Sequence, residues 1–181
     1  MFILQFDSAL ISELASRYSY PSEALVEAMG RDARARGFYT QHEFVDLCRW
    51  KSPRTGPLVA RNSPEDGEEI TRLSLATRSE AVRIQLPMIL QGVSWGTASV
   101  LLHFAHQDPY PILDYRALES FGVEPPSSYT FEFWSEYVRT LSLTTPTISA
   151  KMECKKKSPG TYRNNGSSSG QSQQSRQILL R

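Results

Sequence analysis

Between Leu86 and Gly122 the chain reads LPMILQGVSWGTASVLLHFAHQDPYPILDYRALESFG, and no other stretch limits the available folds as much. It begins with the end of an apolar helix predicted over Ala81–Leu90. The helix breaks at Gln91-Gly92-Val93-Ser94 and a second one runs from Trp95 to about His106. Gly92 supplies the positive φ that a tight helix-to-helix turn needs, and Ser94 is a suitable N-cap for the second helix. Small residues at Gly96, Ala98 and Ser99 would let the two helices come close. A Pro-rich turn, Gln107–Pro111, then delivers Asp114 to the N-cap of a third helix that Gly122 closes. Helices joined in this way turn bare N–H groups outward at a helix N-terminus. That is a ready anion site, and a nucleic-acid phosphate is one candidate occupant.

The rest of the chain reads as helix too. Asp7 or Ser8 caps a first helix to about Tyr18, and a second runs from Ser22 to near Gly37. Thr40-Gln41-His42-Glu43 has the form of a capping box, and Thr77-Arg78-Ser79-Glu80 repeats it. Ser63-Pro64 starts another helix with Pro at its first position, and Pro87 should kink or shorten the helix it lies in. The last helix, Phe131 to about Leu143, carries Phe131, Phe133, Trp134 and Tyr137, an aromatic load expected in a core. The fold class is therefore all-α: a helical bundle over residues 1–145 with no persuasive strand. Residues 146–181 are polar, basic and rich in Ser, Gln and Gly. They are expected to be disordered, either as a genuine basic arm or as the product of a shifted frame or truncation.

Charge separates these two parts. The overall +1 conceals −5 over residues 1–150 and +6 over 151–181. A mildly acidic body is not the usual mark of a non-specific DNA binder. No run of 18 apolar residues suggests a membrane span, and the N-terminus lacks the charged start and cleavage site of a signal peptide. Cys48 and Cys154 read as free thiols of a cytoplasmic protein. They and the histidines (His42, His103, His106) show no metal-ligand spacing. A monomer is expected.

The order Leu90-x-Gly92-Val93-x-x-x-Thr97-Ala98, with Asp114 seventeen positions after Thr97, resembles the helix-hairpin-helix DNA glycosylases of the endonuclease III superfamily. Their pattern L-P-G-V-G-x-K-T-A is followed at about this interval by V-D-T-H-V, where this chain has Ile112-Leu113-Asp114-Tyr115-Arg116. The resemblance covers Leu86 to Leu118 closely. It implies that Gly92, Val93 and Ser94 grip phosphates of double-stranded DNA and that Asp114 is the catalytic carboxylate. Gly96 stands where bifunctional members carry the lyase lysine, so Schiff-base chemistry from that position is excluded. No Cys cluster follows Asp114, so no iron–sulfur cluster is implied, and no cofactor is expected.

The same picture suggests further site residues. Gly96 and Thr97 extend the phosphate grip. Trp50–Asn62 (WKSPRTGPLVARN) interleaves Lys51, Arg54 and Arg61 with an aromatic and two prolines. It is either a solvated loop anchored by its Trp or a cleft wall with cations for phosphates. Trp50 and Tyr39 are candidates to line a base pocket, and Trp95 and Tyr115 to wedge a base step. Asp114 reads equally well as a simple helix cap. The functional expectation is a DNA-binding protein and, where Asp114 is catalytic, a monofunctional base-excision glycosylase. The alternative is a non-catalytic DNA-binding or protein-interaction module on the same helical fold.

Overall fold

In the computed structural model, which describes residues 2–5, 10, 13 and 22–142, every regular element is a helix. In chain order they are α1 (Glu23–Arg36), α2 (Gln41–Lys51), α3 (Gly56–Val59), α4 (Pro64–Ala76), α5 (Glu80–Gln85), α6 (Trp95–Ala105), α7 (Tyr115–Glu119) and α8 (131–142). Tight 3-10 turns at Pro53–Thr55 and Leu86–Ile89 complete the set. No helix among the described residues is long and apolar enough to cross a membrane. The helix expected over 8–18 and the tail from 146 lie almost wholly outside the described residues.

Local chemistry explains most of the boundaries. At α2 the expected capping box is complete: Thr40 accepts from the Glu43 amide while the Glu43 carboxylate accepts from the Thr40 amide at 2.9 Å. Ser63 caps α4 through the Asp66 amide at 3.0 Å, with Pro64 in the first turn. The second box forms differently. Ser79, not Thr77, caps α5, and the Thr77 hydroxyl accepts from the Ser79 amide at 3.2 Å. Pro87 shortens its helix as expected: α-geometry stops at Gln85 and a 3-10 turn carries the chain on.

The chain divides into two compact units, Tyr20–Leu113 and Met1–Ser19 with Asp114–Arg181. In the Tyr20–Leu113 unit, α6 is the central helix and its sequence, WGTASVLLHFA, is apolar nearly all round, as a buried helix must be. It packs on α1 and α2 around Phe44, Leu47, Val100 and Leu101, all at most 2% exposed. The α1 crossing needs Gly30, because a Cβ there would lie 2.5 Å from that of Phe104. Arg34 of α1 caps the far end of α6, donating to Ala105 O at 3.1 Å and His106 O at 2.5 Å.

In the other unit the end of α7 is closed by Gly122 N–H on Glu119 O (2.9 Å) and Val123 N–H on Leu118 O (3.0 Å). Of the four α8 aromatics expected in a core, Trp134 and Tyr137 are there, while Phe131 and Phe133 are half-buried. Trp134 and Tyr137 are 1% exposed, and Phe2 sets its ring edge-on to Phe121, Phe133 and Tyr137 at 5.3–5.7 Å. Burying each of these large rings contributes roughly 2–3 kcal/mol.

Candidate functional site

The bend from Leu90 to Ser94 is built around Gly92, whose φ is +79°. A side chain there would also be crowded, since a Cβ would meet Val59 Cγ2 at 2.9 Å and the Val59 amide nitrogen at 3.0 Å. Glycine is thus required twice, once by the backbone angle and once by the closeness of α3. Asn62 locks the bend from the same side. Its Oδ1 accepts from the Gln91 amide at 2.8 Å, while its Nδ2 donates to Gln91 O at 3.0 Å and Val59 O at 2.8 Å. Sequence reading missed Asn62, because the pairing spans 29 residues and a lone Asn before a Ser-Pro helix start carries no signal of it.

The bend opens α6. Ser94 occupies the N-cap with extended backbone, yet its hydroxyl makes no cap hydrogen bond, contrary to the expectation from its type. It lies instead 3.5 Å from Thr97 Oγ1. The first intrahelical bond is Ala98 N–H to Ser94 O at 2.8 Å, so the helix itself offers no acceptor to the amides of Trp95, Gly96 and Thr97. Gln91 and Ser94 are exposed, Gly92, Val93, Trp95 and Gly96 half-buried, and the Thr97 side chain buried. Of the five bend residues, Leu90, Gln91 and Val93 have their amides engaged within the protein, the first on Pro87 O at 3.1 Å and the last on Leu90 O at 3.2 Å.

Lysine reaches this helix start from elsewhere in the chain. Lys51 is the last residue of α2, and its Cε would lie 3.6 Å from a Cβ on Gly96. That is ordinary van der Waals contact, so the lysine stem lies beside Gly96. Leu113 O borders the same space at 3.2 Å, and Ser99 ties that segment down by accepting from the Leu113 amide at 2.9 Å. Gly96 and Ser99 thus lie against the Leu113 segment, and Gly96 also against Lys51. Arg54, on the 3-10 turn after Lys51, and Arg61, beside Asn62, are both exposed.

The two expected pocket residues differ in placement. Tyr39 is fully buried, with its hydroxyl donating to Leu101 O at 2.9 Å, and burial pushes its phenol well above the ordinary tyrosine range. It is a core residue whose polar tip is satisfied by α6, not a base-pocket wall. Trp50 is half-buried, its indole N–H donates to Ser22 at 3.1 Å, and its ring stands edge-on to Phe104 at 5.6 Å. It anchors the loop to the core.

Asp114 begins the other unit. It is the N-cap of α7, with Oδ1 accepting from the Arg116 amide at 3.0 Å, as its position implied. Its charge faces Tyr129 and Tyr137, whose phenols are pushed up first by burial and then by this carboxylate. Tyr115 is 50% exposed and is bracketed by Arg116, whose Nε donates to its hydroxyl at 3.0 Å. Among the described residues no group of three or more His, Cys, Asp or Glu could hold a metal ion. An open apolar cleft of about 300 Å³ lies at Ala81, Val82, Gln85, Leu86 and Ile89, none of them a candidate site residue.

Compared with known families, curated proteins and solved structures, the chain finds no match.

Proposed function

We propose that this chain is a helix-hairpin-helix DNA-binding protein that acts as a base-excision glycosylase, with the Leu90–Ser94 bend on duplex phosphates and Asp114 as the catalytic carboxylate. One observation carries the reading: a bend that demands glycine at 92 precedes an α6 N-terminus with no side-chain cap, and Lys51 Cε lies beside Gly96 in its first turn. Amides and a cation at one point suit a phosphate oxygen, which the helix dipole favours further. Gly92, Val93, Ser94, Gly96 and Thr97 form the grip; Lys51 and Arg54 supply charge.

In this reading the target nucleotide is flipped from the stack and its N-glycosidic bond breaks as positive charge grows on the sugar. The Asp114 carboxylate, oriented by the Arg116 amide, stabilises that charge and directs a water to C1′. The base departs with the bond electrons and a proton, leaving an abasic site. With Gly96 in the helix the simplest outcome is hydrolysis without strand cleavage. A second reading, favoured by Lys51 Cε beside Gly96, gives the amine of Lys51 the role of a Schiff-base nucleophile.

Duplexes each carrying a single damaged base test the enzyme. At least one should yield an abasic product, and Asp114→Asn should abolish it; no product from any lesion, or an active variant, ends the enzymatic assignment. Borohydride trapping of a covalent complex, lost in Lys51→Arg, decides for the second reading over the first. DNA affinity that stays flat from low to moderate salt excludes phosphate contacts and leaves a protein-interaction module.

A further inference from the structure

We propose that His106 is a proton-operated latch on the turn Gln107–Tyr110, closed while its imidazole is neutral and released when it is protonated. The turn comes directly after α6 and begins the segment that leads to Asp114. Two histidines of α6 and its C-cap hold it. His106 Nδ1 lies 3.0 Å from the Asp108 amide, which can only donate, so Nδ1 is the acceptor and the ring hydrogen sits on Nε2. His103 Nδ1 lies 2.6 Å from Tyr110 O, which can only accept, so there Nδ1 carries the hydrogen. The two rings hold one turn in opposite tautomers.

Protonation treats them differently. A charged His103 still donates from Nδ1, and its bond to Tyr110 survives. A charged His106 carries hydrogens on both nitrogens and can no longer accept from Asp108. Its Nδ1–H has an alternative partner in the Asp108 carboxylate at 3.6 Å, which draws the ring away from the amide it closed. The ring is 6% exposed and packs edge-on to Tyr110 at 5.0 Å, so this change happens inside packed structure and the turn must open to allow it.

The groups facing His106 set where this occurs. Arg83 and Glu80 face it from α5, Arg34 from α1, and Asp108 and Tyr110 from the turn itself. Burial is the largest influence and the two guanidiniums add to it, so the imidazole titrates below the ordinary histidine value despite the two carboxylates. The neutral, latched form therefore prevails near pH 7. Because the folded value is depressed, the stability this histidine confers is complete above the unfolded value of about 6.5 and is lost as pH falls through the folded one.

Amide hydrogen exchange on the full chain, read by NMR at pH 7.5 and pH 5.5 and corrected for intrinsic rates, tests the latch. The Asp108 amide should lose about tenfold or more of its protection in step with the His106 ring titration, while amides in the middle of α2 keep theirs. His106→Asn, whose side-chain oxygen accepts at any pH, should hold Asp108 protected at pH 5.5, and His103→Gln should leave the response in place. Unchanged Asp108 protection, or a response that persists in His106→Asn, overturns the proposal. Should His106→Asn not fold, the nitrogen shifts of the wild-type ring decide: an Nδ1–H tautomer at pH 7.5 overturns the latch and an Nε2–H tautomer with pH-dependent Asp108 exchange upholds it.

Discussion

Single residues around the bend carry more than their size suggests. Gly92→Ala places a side chain at φ +79° and 2.9 Å from Val59 Cγ2, and both penalties act in the folded state. A loss of roughly 2–4 kcal/mol is expected in chemical denaturation, with the slope of the transition unchanged. A variant within about 0.5 kcal/mol of wild type would show that α3 does not press on the bend. Asn62→Ala strips three side-chain bonds and leaves the Gln91 amide without its acceptor, at a cost of about 1–2 kcal/mol. The two changes should also be non-additive, because both act on the contact between the bend and the Val59 segment. Gly96→Ala would bring a Cβ to 3.2 Å from Leu113 O, on a segment held by Ser99, but only into ordinary contact with Lys51 Cε at 3.6 Å, so it should cost about 1 kcal/mol in chemical denaturation and leave the lysine in place.

At the scale of elements, the boundaries that proved legible in the sequence were those written by short-range chemistry. Thr40 with Glu43, Ser63 with Pro64, Pro87, Gly122 and the capping role of Asp114 all act within a few residues of themselves. Thr40→Ala should accordingly cost about 1 kcal/mol, read as a lower midpoint in urea. What escaped the sequence acts across the chain. Gly30 matters because Phe104 crosses it, Asn62 because Gln91 comes to it, and Arg34 because the end of α6 does. Residue type also misled where two roles fit one side chain. Tyr39 read as a pocket wall because an aromatic near cations suits nucleic acid, but it is fully buried and its hydroxyl is satisfied in the core at Leu101 O, whereas the half-buried Trp50 is tied at the surface to Ser22. Ser94 is a sound N-cap by type, yet its hydroxyl turns toward Thr97 instead. The helix's first amides therefore gain nothing from the side chain best suited to cap them, which no propensity scale would reveal.

For the whole molecule, the distribution of charge decides how DNA would be held. Residues 1–150 carry −5 and residues 151–181 carry +6, so long-range attraction to a polyanion must come from the tail. Within a Debye length of about 8–10 Å the local cations prevail over distant acids, and there Lys51, Arg54 and Arg61 act. If each meets one phosphate, they contribute a slope of about −2.7 in log affinity against log salt, and the four lysines Lys151, Lys155, Lys156 and Lys157 about −3.6 if fully engaged. Replacing those four by Gln in the full chain should flatten the slope and weaken binding, yet preserve whatever lesion preference and base removal the wild type has. On the proposed function, replacing Lys51, Arg54 and Arg61 by Gln should cut the slope less and abolish that preference, because these three would position the duplex rather than first attract it. Titrations of both variants between about 50 and 200 mM salt separate the two contributions. If the tail variant loses all salt dependence while the bend variant keeps the full slope, the bend touches no phosphate and binding belongs to the tail alone.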